Sequence, residues 1–169
     1  MDLTSVVGGL IGGLISGAIP ALATRHYYKK QIEDKAARGK SALKLELKEI
    51  QKELDHYKSP TFVADSWVEI SQNIGLDGSI ITEFRNVLRS KANSLKNILT
   101  NSSYHFEKEI RRKIENLVEK LRELSEFRFE QLPEQLATSS INNTEMPFHS
   151  SIQETLDLVN EILQKLNLE

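Results

Sequence analysis

The chain has 169 residues, of which 27% are charged and none is cysteine, and its formal net charge is -2 at pH 7. The charged fraction excludes a protein made mainly of membrane-spanning helices, and the lack of cysteine excludes disulfides, thiolate nucleophiles and cysteine-ligated zinc. Residues 25–58 carry ten Lys and Arg against six Asp and Glu, whereas residues 59–169 carry twelve against seventeen. We therefore expect one domain preceded by a segment of different character.

Residues 5–24 form an uncharged segment whose twenty residues, at about 1.5 Å each, match a hydrocarbon core of about 30 Å. Its strongly apolar residues contribute only about -0.3 to -0.6 kcal/mol each, before Gly, Ser and Pro reduce the total. We expect residues 1–24 to be a transmembrane anchor that gains stability from a partner helix. A cleaved secretory signal and a buried core helix of a soluble protein remain alternatives, although a signal would carry basic residues where this chain has Asp2.

Small residues recur at every fourth position of this segment. The two overlapping series, here called the glycine face, are Gly9, Gly13 and Gly17, and Gly8, Gly12 and Ser16. Lipid tails are as apolar as leucine, so helices in a bilayer associate by close packing, which faces without side chains permit. The spacing predicts self-association in the membrane or docking on another membrane protein.

Basic residues follow the apolar segment. This set, here called the basic collar, comprises Arg25, Lys29, Lys30, Lys35, Arg38 and Lys40. No Lys or Arg precedes the segment, so the positive-inside rule predicts an N-terminus outside and a C-terminal domain in the cytoplasm. For a bacterial cell this means a single-pass protein of the inner membrane. Tyr27 and Tyr28 suit the headgroup layer, where an aromatic ring is half hydrated.

Residues 25–58 are predicted to be a juxtamembrane helix. Apolar residues spaced by four and three form a stripe, here called the α1 stripe: Leu43, Leu47, Ile50, Leu54 and Tyr57. Its two heptads are fewer than a coiled coil normally needs, so it fits either a short oligomeric coiled coil or packing on the chain's own bundle. Ser59 and Pro60 are predicted to end this helix and to begin the next.

Residues 59–169 are predicted to be a soluble all-α bundle. Apolar residues at helical spacing define four segments: 62–70, 81–99, 106–127 and 152–166. Residues 133–149 are polar and contain two prolines, so we expect an irregular loop that is either a linker or a binding element. The last helix is expected to begin at Ser150 or Ser151, because each opens a capping box.

Two aromatic residues are candidates for contact with a partner. Trp67 is the only tryptophan, which fits either a core residue or a partner-binding anchor. Phe148 belongs to the apolar tip Met146-Pro147-Phe148, which either packs on the bundle or binds a partner.

No set of residues predicts a reaction, so we expect neither an enzyme nor a bound cofactor or metal. Gly39-Lys40-Ser41 matches the end of a nucleotide-binding loop, but the glycine required five positions earlier is Asp34. His105 and Glu109 lie four apart on a helix, which provides too few ligands for a metal site. The acidic balance of residues 59–169 argues against binding to nucleic acid.

Two functional hypotheses follow. The first is a self-assembling membrane protein whose cytoplasmic domain controls the association of its anchors. By architectural analogy it would be a membrane-disrupting effector of a bacterial antiviral defence or toxin system. The second is a membrane-anchored adaptor that recruits a cytosolic protein partner. Both have the lipid bilayer as a partner, and the first also requires a homo-oligomer.

Overall fold

The computed structural model describes four stretches of backbone: residues 3–71, 79–102, 106–129 and 147–168. Side chains are described from Thr24 onward within these stretches, except at Trp67, Ser71 and Leu168. Among the residues with described side chains, no helix is both long enough and apolar enough to cross a membrane. All but the last residue of the predicted anchor lies outside this set.

The five helices whose bounds are assigned in these stretches are all α-helices, and no strand is assigned there, which confirms the all-α prediction. They are α1 (Leu3–Tyr57), α2 (Pro60–Ser71), α3 (Ile80–Ser102), α4 (Lys108–Ser125) and α5 (Pro147–Leu168). The four helices predicted after Ser59 correspond to α2 through α5. The start of α5 differs from the prediction, because Pro147 occupies the first helical position, which suits its fixed φ and its missing N–H. Residues 147–149 are therefore helical, and residues 133–146 of the predicted loop lie outside the described residues.

The chain divides into two compact units, Met1–Arg38 and Gly39–Glu169, and α1 contributes residues to both. The second unit therefore begins at Gly39 and not at Ser59, where the sequence placed the domain boundary. Burial of the α1 stripe explains the difference. Its four aliphatic residues are fully buried, and Tyr57 is 4% exposed, in the core of the second unit. These side chains pack on the chain's own bundle and are not available for an oligomeric coiled coil.

Ion pairs define the register between α4 and α5. Three pairs join the helices: Lys120–Glu154, Lys113–Glu161 and Lys165–Glu109. From one pair to the next, the residue number on α4 falls by seven and then by four, while the residue number on α5 rises by the same amounts. The two helices are therefore antiparallel in a single register. Exposed pairs of this kind contribute about 0–1 kcal/mol each, so they specify alignment more than they stabilise the fold.

Helix α1 runs antiparallel to α5. Gln51 donates a hydrogen bond to Asn160 at 2.9 Å, and Lys58 donates one to Gln153 at 2.5 Å. From Gln51 to Lys58, the residue directly after α1, the chain advances by seven residues, while the partner on α5 lies seven residues earlier. The apolar α1 stripe and the apolar face of α5 form part of the same buried core.

Helix α1 also contacts α3 through a partly buried lysine. Lys91 Nζ lies 2.5 Å from Glu49 Oε2 and 3.4 Å from Glu46 Oε1. The side chains of Lys91 and Glu46 are only 19% and 15% exposed. Helix α3 also packs extensively on α4. Together with the antiparallel pairs described above, this contact makes α1, α3, α4 and α5 an up-down-up-down four-helix bundle within the second unit.

Helix α2 connects α1 to α3 and is held at both ends. Ser59 Oγ accepts a hydrogen bond from the Phe62 N–H at 3.2 Å, which confirms the predicted N-cap. Near the other end, the carboxylate of Glu69 accepts the Ile80 N–H at 2.9 Å. This bond places a negative charge at the N-terminus of α3, where the helix dipole favours it.

Helix α1 lies close to α3 at Gly39, a buried residue in the interior of α1. A Cβ built on Gly39 would lie 2.8 Å from Ser102 Oγ and 2.9 Å from Ser102 Cβ, too close for real contacts. Glycine inside a helix costs about 1 kcal/mol relative to alanine, and here the close approach requires it. The helical geometry also rules out a phosphate-binding loop at Gly39-Lys40-Ser41, because the backbone amides of a helix interior are already paired.

Aromatic rings fill one end of the bundle. They belong to Tyr57, Phe62, Phe84, Phe129 and Phe148, each less than 5% exposed. The ring centroids of Tyr57 and Phe84 lie 4.7 Å apart at an interplanar angle of 80°, and those of Phe84 and Phe129 lie 5.2 Å apart at 84°. Edge-to-face contacts of this kind add to the stability gained from burial. This aromatic cluster joins α1, α2, α3 and α5 to the chain that follows α4.

Replacing Gly39 with Ala should destabilise the bundle. The added methyl group must displace Ser102 or separate α1 from α3, which costs about 1–3 kcal/mol and exceeds the gain of about 1 kcal/mol in helix propensity. Urea denaturation followed by circular dichroism measures the change. The double variant G39A/S102G is the control, since it removes both atoms that the methyl group would meet and should recover much of the loss. A single variant as stable as the parent chain would contradict the close approach.

Replacing Tyr57 with Phe should reduce the amount by which the free energy of unfolding falls at alkaline pH. Burial, assisted by the carboxylates of Glu53 and Glu83, raises the pKa of Tyr57 well above its ordinary value of 10.0. The unfolded chain therefore ionises this phenol first, and stability that is complete below about pH 10 falls as the pH rises further. Denaturation midpoints of the variant and the parent chain, measured between about pH 9 and pH 11, test this prediction. An equal fall of the midpoint with pH in both chains would disprove it.

Candidate functional site

The glycine face and Trp67 cannot be placed in a site. Gly8, Gly9, Gly12, Gly13, Ser16 and Gly17 lie on the backbone of α1, but their side-chain surroundings lie outside the described residues. Trp67 lies on α2 between the buried Ser66 and the exposed Val68, and its side chain also lies outside them. The described surface that remains for a functional reading is residues 24–38 of the first unit.

The basic collar is exposed in this unit. Arg25, Lys29, Lys30, Lys35 and Arg38 all face solvent, whereas the sixth member, Lys40, belongs to the second unit and is half-buried. Residues 24–38 contain two carboxylates, Glu33 and Asp34, so their net charge is +3 with His26 neutral. Lys29 and Glu33 lie 3.9 Å apart with 77% and 65% of their side chains exposed, so their pairing is weak. The collar therefore presents uncompensated positive charge.

Exposed apolar side chains accompany these cations. Tyr27 is 63% exposed, Tyr28 61% and Ile32 56%, and no other stretch of described residues has three large apolar side chains so exposed and so close together. Clusters of exposed apolar groups are typical of surfaces that lipid or another protein covers. The sequence analysis singled out both tyrosines but missed Ile32, which lies one helical turn beyond Tyr28 and could have been found from that spacing.

An open groove of about 460 Å³ lies along this part of α1. It is lined by Tyr27, Lys30, Gln31, Asp34, Lys35 and Arg38. All six belong to α1 and are exposed. Its three cations and one carboxylate favour an anionic group bound at the surface.

Of the metal pair considered in the sequence, only Glu109 lies within the described residues. Glu109 forms ion pairs with Lys165 and, at 3.7 Å, with Lys113. The hydrogen bond from Lys165 is the main cause that lowers the pKa of Glu109 below its ordinary value. His105 lies outside the described residues. Among those that are described, no group of three His, Asp or Glu side chains could hold a metal ion.

Phe148 lies inside the bundle and not on a surface open to a partner. It is fully buried, its ring stacks on Phe62 at a centroid distance of 6.2 Å, and its centroid lies 4.9 Å from that of Phe127. Because α5 begins at Pro147, Phe148 lies in the first turn of the helix and packs in the aromatic cluster. Of the two alternatives for Phe148, a contact with a partner and packing on the bundle, the structure shows packing on the bundle.

Comparison of this chain with models of protein families, with characterised proteins and with solved structures finds no match.

Replacing Phe148 with Ala should cost about 3–5 kcal/mol of folding free energy, because the cavity it leaves lies among packed aromatic rings. Urea denaturation measures the loss. Replacing the exposed Tyr28 with Ala is the matched control and should change stability by less than about 0.5 kcal/mol. An F148A variant as stable as Y28A would show that Phe148 does not pack in the core.

Proposed function

We propose that this chain is a single-pass membrane protein of the bacterial inner membrane, with residues 5–24 as its anchor and the helical bundle in the cytoplasm. The observation that carries the proposal is the exposed set of cations and tyrosines that directly follows an uncharged apolar segment. Tyrosine and basic residues at this position are typical of the cytoplasmic end of a membrane span.

The proposed anchors associate with one another through the glycine face. Burial of the α1 stripe supports this assignment indirectly. Leu43, Leu47, Ile50 and Leu54 are already covered by the chain's own helices, so they are not available for an oligomeric interface. Small residues at every fourth position provide the other interface that the sequence offers, since they let two backbones approach in lipid.

The proposed role of the bundle is to control this association. Helix α1 supplies both the backbone of the anchor and the buried α1 stripe. Any partner or signal that changes how the bundle holds α1 thus acts on the helix that carries the glycine face. Assembled anchors would then open or disrupt the bilayer, as an effector of antiviral defence or a toxin would do.

Replacing Gly13 with Leu should abolish oligomers of the full-length protein and any growth arrest that it causes on overexpression. The leucine fills the glycine face and keeps two backbones apart. Oligomers are measured by crosslinking in membranes and by light scattering after detergent extraction.

Ala18→Leu is the matched control, because at 100° per residue it lies away from Gly13 on the opposite side of the helix, and it adds similar bulk. It should leave the oligomer intact. If G13L and A18L assemble equally well, the glycine face is not the interface, and the adaptor hypothesis takes precedence.

A further inference from the structure

The positive charge of the first unit is not neutralised within the described residues of that unit. Five exposed cations face two exposed carboxylates over residues 24–38, and the Lys29–Glu33 pair is long and solvated. In the second unit, by contrast, lysines of α3, α4 and α5 lie against glutamates of neighbouring helices. Cations therefore outnumber carboxylates by five to two directly after the proposed anchor, where an anionic partner would be attracted.

We propose that residues 25–38 bind anionic phospholipid headgroups in preference to zwitterionic ones. This inference rests on the proposed membrane anchoring. If the hydrocarbon core ends at Thr24, a rise of about 1.5 Å per residue places Tyr27 and Tyr28 about 5–6 Å beyond it. The headgroup layer of one leaflet is about 5–8 Å thick, so both rings lie within it.

The cations occupy positions that suit phosphate. Lys29 and Lys30 follow the tyrosines directly and lie at the outer edge of the headgroup layer. Lys35 lies about 9 Å further from the membrane than Lys29, a distance of about one Debye length in physiological salt. It therefore still experiences the surface potential of an anionic leaflet. Lys30 and Lys35 also line the open groove, where Tyr27 adds an aromatic ring with a polar hydroxyl.

The charge favours lipid over a second copy of this segment. Tyr28 and Ile32 lie one turn apart and could cover each other in a pair of parallel helices. Lys29 and Lys35 lie close to the same face, however, so pairing would bring like charges together in both copies, which is unfavourable. Anionic headgroups match these charges and also reduce the repulsion between neighbouring collars.

The test is native mass spectrometry of the full-length protein released from micelles that contain equal amounts of phosphatidylglycerol and phosphatidylcholine. The parent chain should retain phosphatidylglycerol at least about fivefold more often, since each cation near an anionic surface strengthens the attraction about fivefold. The variant R25Q/K29Q/K30Q should retain the two lipids about equally. The control R89Q/K96Q/R122Q removes three exposed cations of the second unit and should keep the preference of the parent chain.

Three results on lipid preference would overturn the inference: no preference in the parent chain, an unchanged preference in the collar variant, or an equal loss in the control. Increased dimerisation of the collar variant with an unchanged lipid count would also overturn it, in favour of a second copy as the partner. Failure of the proposed function would look different, because the parent chain would then be absent from the membrane fraction of the cell. A chain that stays in that fraction without lipid preference refutes the headgroup proposal alone.

Discussion

The second unit is held together by one buried apolar core, which the α1 stripe shares with the apolar faces of α2, α3, α4 and α5. Burying an aliphatic side chain stabilises a fold by about 1.5–3 kcal/mol, far more than any exposed ion pair contributes. The ion pairs and amide hydrogen bonds that join α1, α3, α4 and α5 then select one antiparallel register among those that burial alone would permit. Gly39 adds a steric constraint at the other end of the stripe, where α1 lies against Ser102.

Burial of the α1 stripe limits the surfaces through which this chain can self-associate. A helix that is covered by its own bundle cannot offer the same apolar face to a second chain, so any self-association must use another surface. The charged residues are arranged in two different ways. Those of the bundle pair with neighbouring helices, whereas those of residues 24–38 remain exposed beside three uncovered apolar side chains.

The helical class of the described residues was predictable because amphipathic patterns are local. Ser59 and Pro60 mark a helix start through their own backbone chemistry, and the apolar spacing of α3 and α4 identifies their buried faces without knowledge of the partner. The start of α5 was less predictable, since Ser150, Ser151 and Pro147 all carry start signals. Packing of Phe148 in the aromatic cluster is consistent with the earliest of these starts.

The sequence by itself determined the all-α class, the apolar face of each bundle helix and the concentration of basic residues after the uncharged segment, because these depend only on residue type and spacing. Tertiary structure alone decided that the α1 stripe serves the chain's own core, that Phe148 is buried and that the compact unit begins at Gly39. The physical reason is that an apolar face shows that burial will occur but does not specify the partner. The partner follows from the shapes and charges of helices that are distant in sequence, such as the α3 residue Ser102 against Gly39 and the α3 residue Lys91 against Glu49.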